Sequence, residues 1–310
     1  MMTNPRQIYV DGSRTETYTE TGSIDKPYKL LQDAMSEFLV VGATTNYVFI
    51  LRPSVYNVGS GIDLQMGSTT QGFAIEGCDG VEIRCTDITT NIMYLRAFKS
   101  VTIRNCKFRT GKYGLYTRQC LGVEVSGCTF LYCGSTGSPY VHNFNTSQTQ
   151  QANHWAGTNT SDGGAMRLRE ASFVIVKDNY VWRVARGIRI QDVGHASLNT
   201  PSLIVNNRIN DSLESAIYCA SGSYAFADNG VYGCTHVTIT GNRIQRPYNN
   251  GILVIGSRFV DVTNNVIFES ANAGIQQYVQ LINNYLYNCT GMLGSNPILW
   301  QFPLTAGWWG

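Results

Sequence analysis

One six-residue pattern returns seven times along this chain, and nothing else in the sequence narrows the possible folds as far. The copies run Ile103–Phe108, Val125–Phe130, Val176–Val181, Ile204–Ile209, Ile239–Ile244, Val262–Ile267 and Leu281–Leu286, with a weaker one at Ile75-Glu76-Gly77-Cys78. Each reads as strand, tight bend, strand, with Gly, Asn or Asp at the bend, residues that tolerate left-handed backbone angles. The fourth position runs Cys78, Cys106, Cys128, Asn179, Asn207, Asn242, Asn265, Asn284. Stacked copies of Asn at one turn hydrogen-bond to each other and so satisfy amides that burial would orphan. The small Cys side chains are expected in the same slot of the earlier coils.

A second set of columns follows these bends. It begins at Gly61–Gln65 and Tyr94–Arg96 and continues through Gly114–Arg118, Ala165–Arg169, Gly187–Gln191, Ala216–Ala220, Gly251–Ile255 and Gly274–Tyr278. Period-two alternation turns Leu115, Met166, Ile188, Ile217, Ile252 and Ile275 inward and their neighbours outward. Coils of about 19 to 28 residues, two of them enlarged by insertions, are what three short strands per turn require. The expectation is an all-β chain wound as a right-handed parallel β-helix, a solenoid around one narrow core.

Composition agrees. Of the 310 residues 43% are apolar, enough for a continuous core, while only 14% are charged; Asn, Thr, Ser and 31 Gly take up the difference. A net charge of +2 gives no electrostatic case for nucleic acid. No apolar run reaches membrane-span length, and the N-terminus lacks the apolar stretch of a secretory signal. The nine Cys form no CxxC pair or metal spacing and read as small core fillers, with Cys219 and Cys234 able to meet across one loop.

Solenoid ends need covers, because an open coil exposes core and unpaired strand edges. Residues 25–40 place Leu30, Leu31, Ala34, Met35, Phe38 and Leu39 at helical spacing behind Pro27, which predicts an N-terminal capping helix. The expected organisation is an opening segment and capping helix over 1–47, the β-helix over 48–290, and a cap or docking tail over 291–310 that includes Trp300, Trp308 and Trp309.

The opening Ile8-Tyr9-Val10-Asp11-Gly12-Ser13, then Lys26-Pro27-Tyr28-Lys29-Leu30-Leu31-Gln32-Asp33-Ala34, then Ile50-Leu51-Arg52-Pro53-Ser54-Val55-Tyr56, resembles the start of pectate-lyase-like β-helix proteins, which include bacteriophage tail spikes and polysaccharide lyases. The resemblance implies the same solenoid and a choice of activities: lyase, hydrolase, epimerase or inert virion protein. The paired-Asp, Gly-His-Gly and Arg-x-Lys signatures of polygalacturonase-like hydrolases do not occur, nor does the Tyr-Gly-Phe-Asp-Pro-His signature of alginate epimerases.

Outward residues of the second columns form a row: Asp63 and Gln65, Tyr94 and Arg96, Tyr116 and Arg118, Arg167 and Arg169, Arg189 and Gln191, then Tyr218. Arg forks bind carboxylate or sulfate, and Tyr offers a flat apolar ring with a polar tip. Almost no acid lies in the row. That combination predicts a binding face for an acidic polysaccharide, with Tyr94, Arg96, Tyr116, Arg118, Arg169, Gln191, Tyr218 and Trp155 as substrate contacts. Insertions between Phe130 and Ala165, after Gln191 and after Ala220 are expected to bring Asp162, His142, His154, Trp155, Asp192 and His195 toward it. Asp211 and Glu214 fall just before Tyr218.

β-Elimination from a uronate needs a carboxylate neutraliser, a base and an acid, for which Arg167 or Arg189 and then His195 or Tyr218 are candidates. Hydrolysis instead needs two carboxylates flanking the bond, and Asp162 with Asp192 is the pair available. As an enzyme the chain would be a polysaccharide lyase or glycoside hydrolase of phage-depolymerase type; the rival reading is a non-enzymatic virion spike, structural or receptor-binding protein. No cofactor is expected, and Ca²⁺ at a loop edge has no dense acidic cluster behind it. Expected partners are an acidic polysaccharide, other virion proteins and further copies in a homotrimer; the expected place is the virion or the extracellular space after cytoplasmic synthesis.

Overall fold

The computed structural model describes residues 5–66, 71–134, 163–194, 201–220, 233–270, 273–276, 281–282 and 285–287. Among these the chain passes from a first sheet to a second to a third and back again, coil after coil, building parallel sheets of 10, 9 and 8 strands. Parallel crossovers of this kind wind right-handed. The all-β, right-handed parallel β-helix predicted from the repeat is the fold.

Register follows the sequence columns. In the third sheet Leu115 pairs with Met93 on one side and Met166 on the other, and the row continues through Ile188, Ile217, Ile252 and Ile275. All of these are buried in one continuous core. Aromatic rings stack within it: Phe73 meets Phe98 at 4.9 Å, and Phe108 lies on Phe130 at 4.9 Å with the planes 6° apart. Such ring pairs add about 0.5–1.5 kcal/mol to what their burial contributes.

The bend between the first and second sheets holds the Asn ladder. Asn105, Gly127, Asp178, Asn206, Gly241 and Asn264 take left-handed angles there, and the next residue points inward. The Asn179 Nδ2 donates to Val125 O at 3.0 Å and to Asn207 Oδ1 at 2.9 Å, while the Asn179 backbone N–H donates to the same Oδ1 at 3.1 Å. Asn207 repeats this toward Asn242, and Asn242 toward Asn265. Cys106 and Cys128 fill the slot in earlier coils; Cys128 N–H donates to Asn179 Oδ1 at 2.9 Å, so the ladder starts against a cysteine. Cys78 departs from the expected column: it is exposed, because its coil runs on through a turn at Asp79 and Gly80 to bury Val81 instead. Asn284 lies outside the described residues.

The eight described cysteines are free thiols, seven of them buried. Burial pushes Cys120 up to about 11 and Cys128 up to about 12, so both stay protonated fillers. The predicted cap is present as a helix over Leu31–Phe38, burying Leu31, Ala34 and Met35 with the core of the first coil. It starts later than Pro27 suggests, since Tyr28 is held in extended backbone: Tyr28 N–H donates to Tyr9 O at 2.9 Å, and Asp11 N–H donates to Tyr28 O at 2.7 Å. The Trp-rich tail over 291–310 lies outside the described residues.

Candidate functional site

The third sheet sets the predicted row in register. Asp63, Tyr94, Tyr116, Arg167, Arg189 and Tyr218 are direct cross-strand partners in successive coils. Gln65, Arg96, Arg118, Arg169 and Gln191 form the neighbouring row two residues on. Coils ~4.8 Å apart let side chains of adjacent coils touch. The Tyr94 and Tyr116 rings stand 4.8 Å apart. The Arg167 guanidinium lies 5.1 Å from the Tyr116 ring and that of Arg189 lies 5.3 Å from the Tyr218 ring. Cation–π contacts of this kind hold the forks flat on the sheet face.

The row is less acid-free than the sequence suggests. Ala97, Gln119, Glu170 and Asp192 follow strands of this sheet in left-handed backbone. Gln119, Glu170 and Asp192 turn their side chains back to the row. Arg118 Nε donates to Glu170 Oε2 at 3.1 Å, and Arg169 Nε stands 2.9 Å from Glu170 Oε1. The Glu170 bond is the main cause of a raised Arg118 pKa. Asp192 Oδ2 sits 3.8 Å from Arg169 Nε, which places it as a charge partner at the corner. Arg96 Nε donates to Gln119 Oε1, and Arg167 Nε to Gln191 Oε1, each at 2.9 Å. Alternation rules pass over Glu170 and Gln119 because they stand outside the strands; the signal available was their position directly after Arg169 and Arg118.

At the Arg189–Tyr218 step a small cleft opens, lined by Arg186, Arg189, Glu214, Ser215 and Tyr218. Arg186 and Glu214 form a bidentate pair, Nε to Oε2 at 2.6 Å and Nη2 to Oε1 at 2.8 Å. Burial works against the Arg186 charge, yet its bonds to Glu214 outweigh that and raise the pKa. Arg189 is only 5% exposed. The cleft thus joins two guanidinium groups, one committed carboxylate, a phenol and a hydroxyl.

Asp211, expected near Tyr218, points to a different face. It accepts from Arg246 Nε at 2.7 Å and from Trp182 Nε1 at 3.0 Å on the second sheet. Asp162, His195, Trp155, His142 and His154 lie outside the described residues. The chain leaves the second sheet at Leu131 and enters the third at Gly164, so the segment with Asp162 and Trp155 falls between these sheets in sequence. Among the described residues no group of three or more His, Cys, Asp or Glu gathers as a metal cage, and no helix is long and apolar enough to cross a membrane.

Two solved structures are distantly similar to this chain. The surface adhesin PfbA of Streptococcus pneumoniae is 12% identical, with a TM-score of 0.35, over 88% of this chain and 91% of that one. The mannuronan C-5 epimerase AlgE4 A-module of Azotobacter vinelandii is 11% identical, with a TM-score of 0.23, over 86% of this chain and 92% of that one. No curated protein matches the sequence. The family model described as "Right handed beta helix region" matches residues 72–235. That is more than half the chain, and the chain therefore belongs to the right-handed β-helix family.

Proposed function

We propose that the outer face of the third sheet binds an acidic polysaccharide laid along the solenoid axis, with Arg189 in the Tyr218 cleft holding a carboxylate. One observation supports this above the others: five consecutive coils bring Tyr94, Tyr116, Arg167, Arg189 and Tyr218 into one register row. Rings and guanidinium groups in one row suit the flat sugar faces and acidic substituents of a single polymer. Arg96, Arg118, Arg169 and Gln191 edge the same groove, where Glu170 holds Arg118 and Arg169 until an anionic ligand competes for them.

Cleavage, in this reading, is β-elimination at the cleft: Arg189 neutralises the uronate carboxylate while the Tyr218 oxygen takes the C5 proton and passes it to the leaving C4 oxygen, so the C4–O bond breaks as the C4=C5 double bond forms. A second reading is favoured by the state of Glu214. It is the one carboxylate lining the cleft among the described residues, and Arg186 holds both its oxygens. A cleft whose one described carboxylate is already held by an arginine suits a non-enzymatic spike or receptor-binding protein of a virion, the class that the opening residues resemble. On either reading the expected place is outside the cell or on a particle, and no cofactor is invoked.

The test is a screen of acidic polysaccharides between pH 6 and 9, following absorbance near 235 nm and reducing ends together. Unsaturated products that vanish in Arg189→Ala establish elimination. Binding without products, weakened about tenfold in Arg189→Ala, establishes the adhesive reading. Absence of both binding and products removes the third sheet as a glycan face.

A further inference from the structure

The second sheet displays a separate ladder that neither the repeat analysis nor the glycan reading uses. Its outward residues form two register rows. One runs Glu82, Lys107, Thr129, Tyr180, Arg208, Arg243; the other runs Arg84, Arg109, Leu131, Trp182, Asn210, Gln245 and Phe268. A third row of left-handed edge residues, Thr110, Tyr132, Arg183, Asp211, Arg246 and Glu269, borders them.

The two ends of this face differ in how their charges are paired. Toward the N-terminus, Glu82 gathers the cations: Arg84 Nε donates to it at 2.9 Å, Lys107 Nζ stands at 2.7 Å and Arg109 at 3.9 Å. Toward the C-terminus Asp211 takes Arg246. Arg208 and Arg243, direct register partners and both exposed, have no ion pair among the described residues. Each rests on a ring instead, Arg208 at 5.7 Å from Tyr180 and Arg243 at 4.8 Å from Phe268, while Arg183 lies 4.5 Å from Trp182. The two arginines lean apart, one to the preceding coil and one to the following. That separates like charges which the backbone alone would set ~4.8 Å apart.

We propose that this face, centred on Arg208 and Arg243, binds a linear sulfated polysaccharide independently of the third sheet. Unpaired guanidinium groups at consecutive coils are complementary to anionic groups repeating along one chain. The four rings Tyr132, Tyr180, Trp182 and Phe268 are each covered by an arginine. They offer no open platform for bases, on which single-stranded nucleic acid binding depends. The strands here are three to five residues long, a strip of roughly 10–17 Å that one polymer chain fills and a duplex overhangs. Sulfate esters stay ionised at every working pH, so recognition needs no titrating partner.

The test uses the whole chain with dextran sulfate, uncharged dextran and an oligo-dT of similar length as probes. Dextran sulfate is expected to bind; Arg208→Ala/Arg243→Ala weakens it about tenfold and lowers the log–log salt slope by about two. Arg208→Lys/Arg243→Lys restores the salt slope, because charge rather than fork geometry sets it, and Arg104→Ala on the first sheet leaves dextran sulfate binding unchanged. Both arginines are exposed, and an unchanged circular dichroism melt confirms that the double variant is folded. Equal binding by the double variant overturns the proposal. So does loss of dextran sulfate binding in Arg189→Ala, which would return the ligand to the third sheet. Equal affinity for uncharged dextran or for oligo-dT overturns the partner class, and no binding of dextran sulfate at low salt overturns the face itself.

Discussion

Replacing Asn207 by Ala tests whether the ladder holds the coils together. The Asn207 side chain donates to Val176 O at 2.9 Å, Val205 O at 3.1 Å and Asn242 Oδ1 at 3.0 Å. Its Oδ1 accepts from Asn179 N–H and Nδ2. Truncation leaves two buried donors of Asn179 without that acceptor, though Nδ2 keeps Val125 O. An orphaned buried donor costs about 1–3 kcal/mol, and a lost neutral bond about 1 kcal/mol. The Asn179 backbone N–H bears the larger figure, the amide hydrogen and Val176 O the smaller, giving about 3–5 kcal/mol. In a solenoid each coil rests only on its neighbours, so this falls on one interface in the middle of the stack. Guanidinium denaturation followed by circular dichroism should show the midpoint falling with the slope kept, and hydrogen exchange should show the Asn179 amide losing protection. Asn207→Cys is the matched control. The slot accepts a thiol at Cys128, where Sγ donates to Ser126 O at 3.4 Å, but a thiol supplies no acceptor for Asn179, so Cys should cost nearly as much as Ala. A loss below about 1 kcal/mol in Asn207→Ala, with the Asn179 amide still protected, would refute the ladder as a source of stability.

Acid should loosen the second sheet at its N-terminal end. Burial raises the Glu82 carboxyl, but hydrogen bonds and charge from Lys107 and Arg84 win and leave it below its ordinary value of 4.5. A depressed folded pKa contributes stability above the unfolded value and loses it as pH falls through the folded one. Wild type should therefore lose stability from about pH 4.5 downward, and Glu82→Gln should flatten that part of the curve while being less stable at neutral pH; parallel curves would exclude Glu82 as a cause. On the third sheet, Glu170→Gln should free Arg118 and Arg169 and tighten acidic polysaccharide binding about threefold to tenfold, at a stability cost under about 1 kcal/mol because these pairs are part-exposed. Titration calorimetry beside thermal melts checks both, and weaker binding would show that Glu170 positions the arginines rather than competing for them.

The fold was legible because a solenoid writes its geometry into the sequence once per coil. Inward Leu115, Met166 and Ile188, the Asn column and the rows containing Arg167 and Arg189 could all be aligned without coordinates. Corners were not legible in the same way. Glu170 and Asp192 follow their strands in left-handed backbone, where alternation no longer says which way a side chain turns. Cys78 matched the column by spacing, yet its coil makes a wider turn, and spacing cannot see turn width. Arg208 and Arg243 stood in plain view directly after Asn207 and Asn242. They were passed over because the repeat was read for its core positions, although alternation places them outward by the same rule.

The three faces use charge differently, and the difference argues for their roles. Inward positions admit no ions, so a chain with 14% charged residues must place them on outer rows or corners. On the first sheet they alternate in sign: Arg104 lies 3.8 Å from Glu76 and 3.2 Å from Glu124, and Glu124 lies 3.4 Å from Lys177. That row closes on itself and serves to stitch coils together. On the third sheet the corner acid Glu170 holds Arg118 and Arg169 until an anionic ligand displaces it, while the neutral Gln119 and Gln191 hold Arg96 and Arg167. On the second, Arg208 and Arg243 have only aromatic rings beneath them. Cross-coil pairing was open to every row at the same spacing, so its absence at Arg208 and Arg243 is not imposed by the fold. A net charge of +2 conceals this segregation. The charge available to a polyanion is set by pairing row by row.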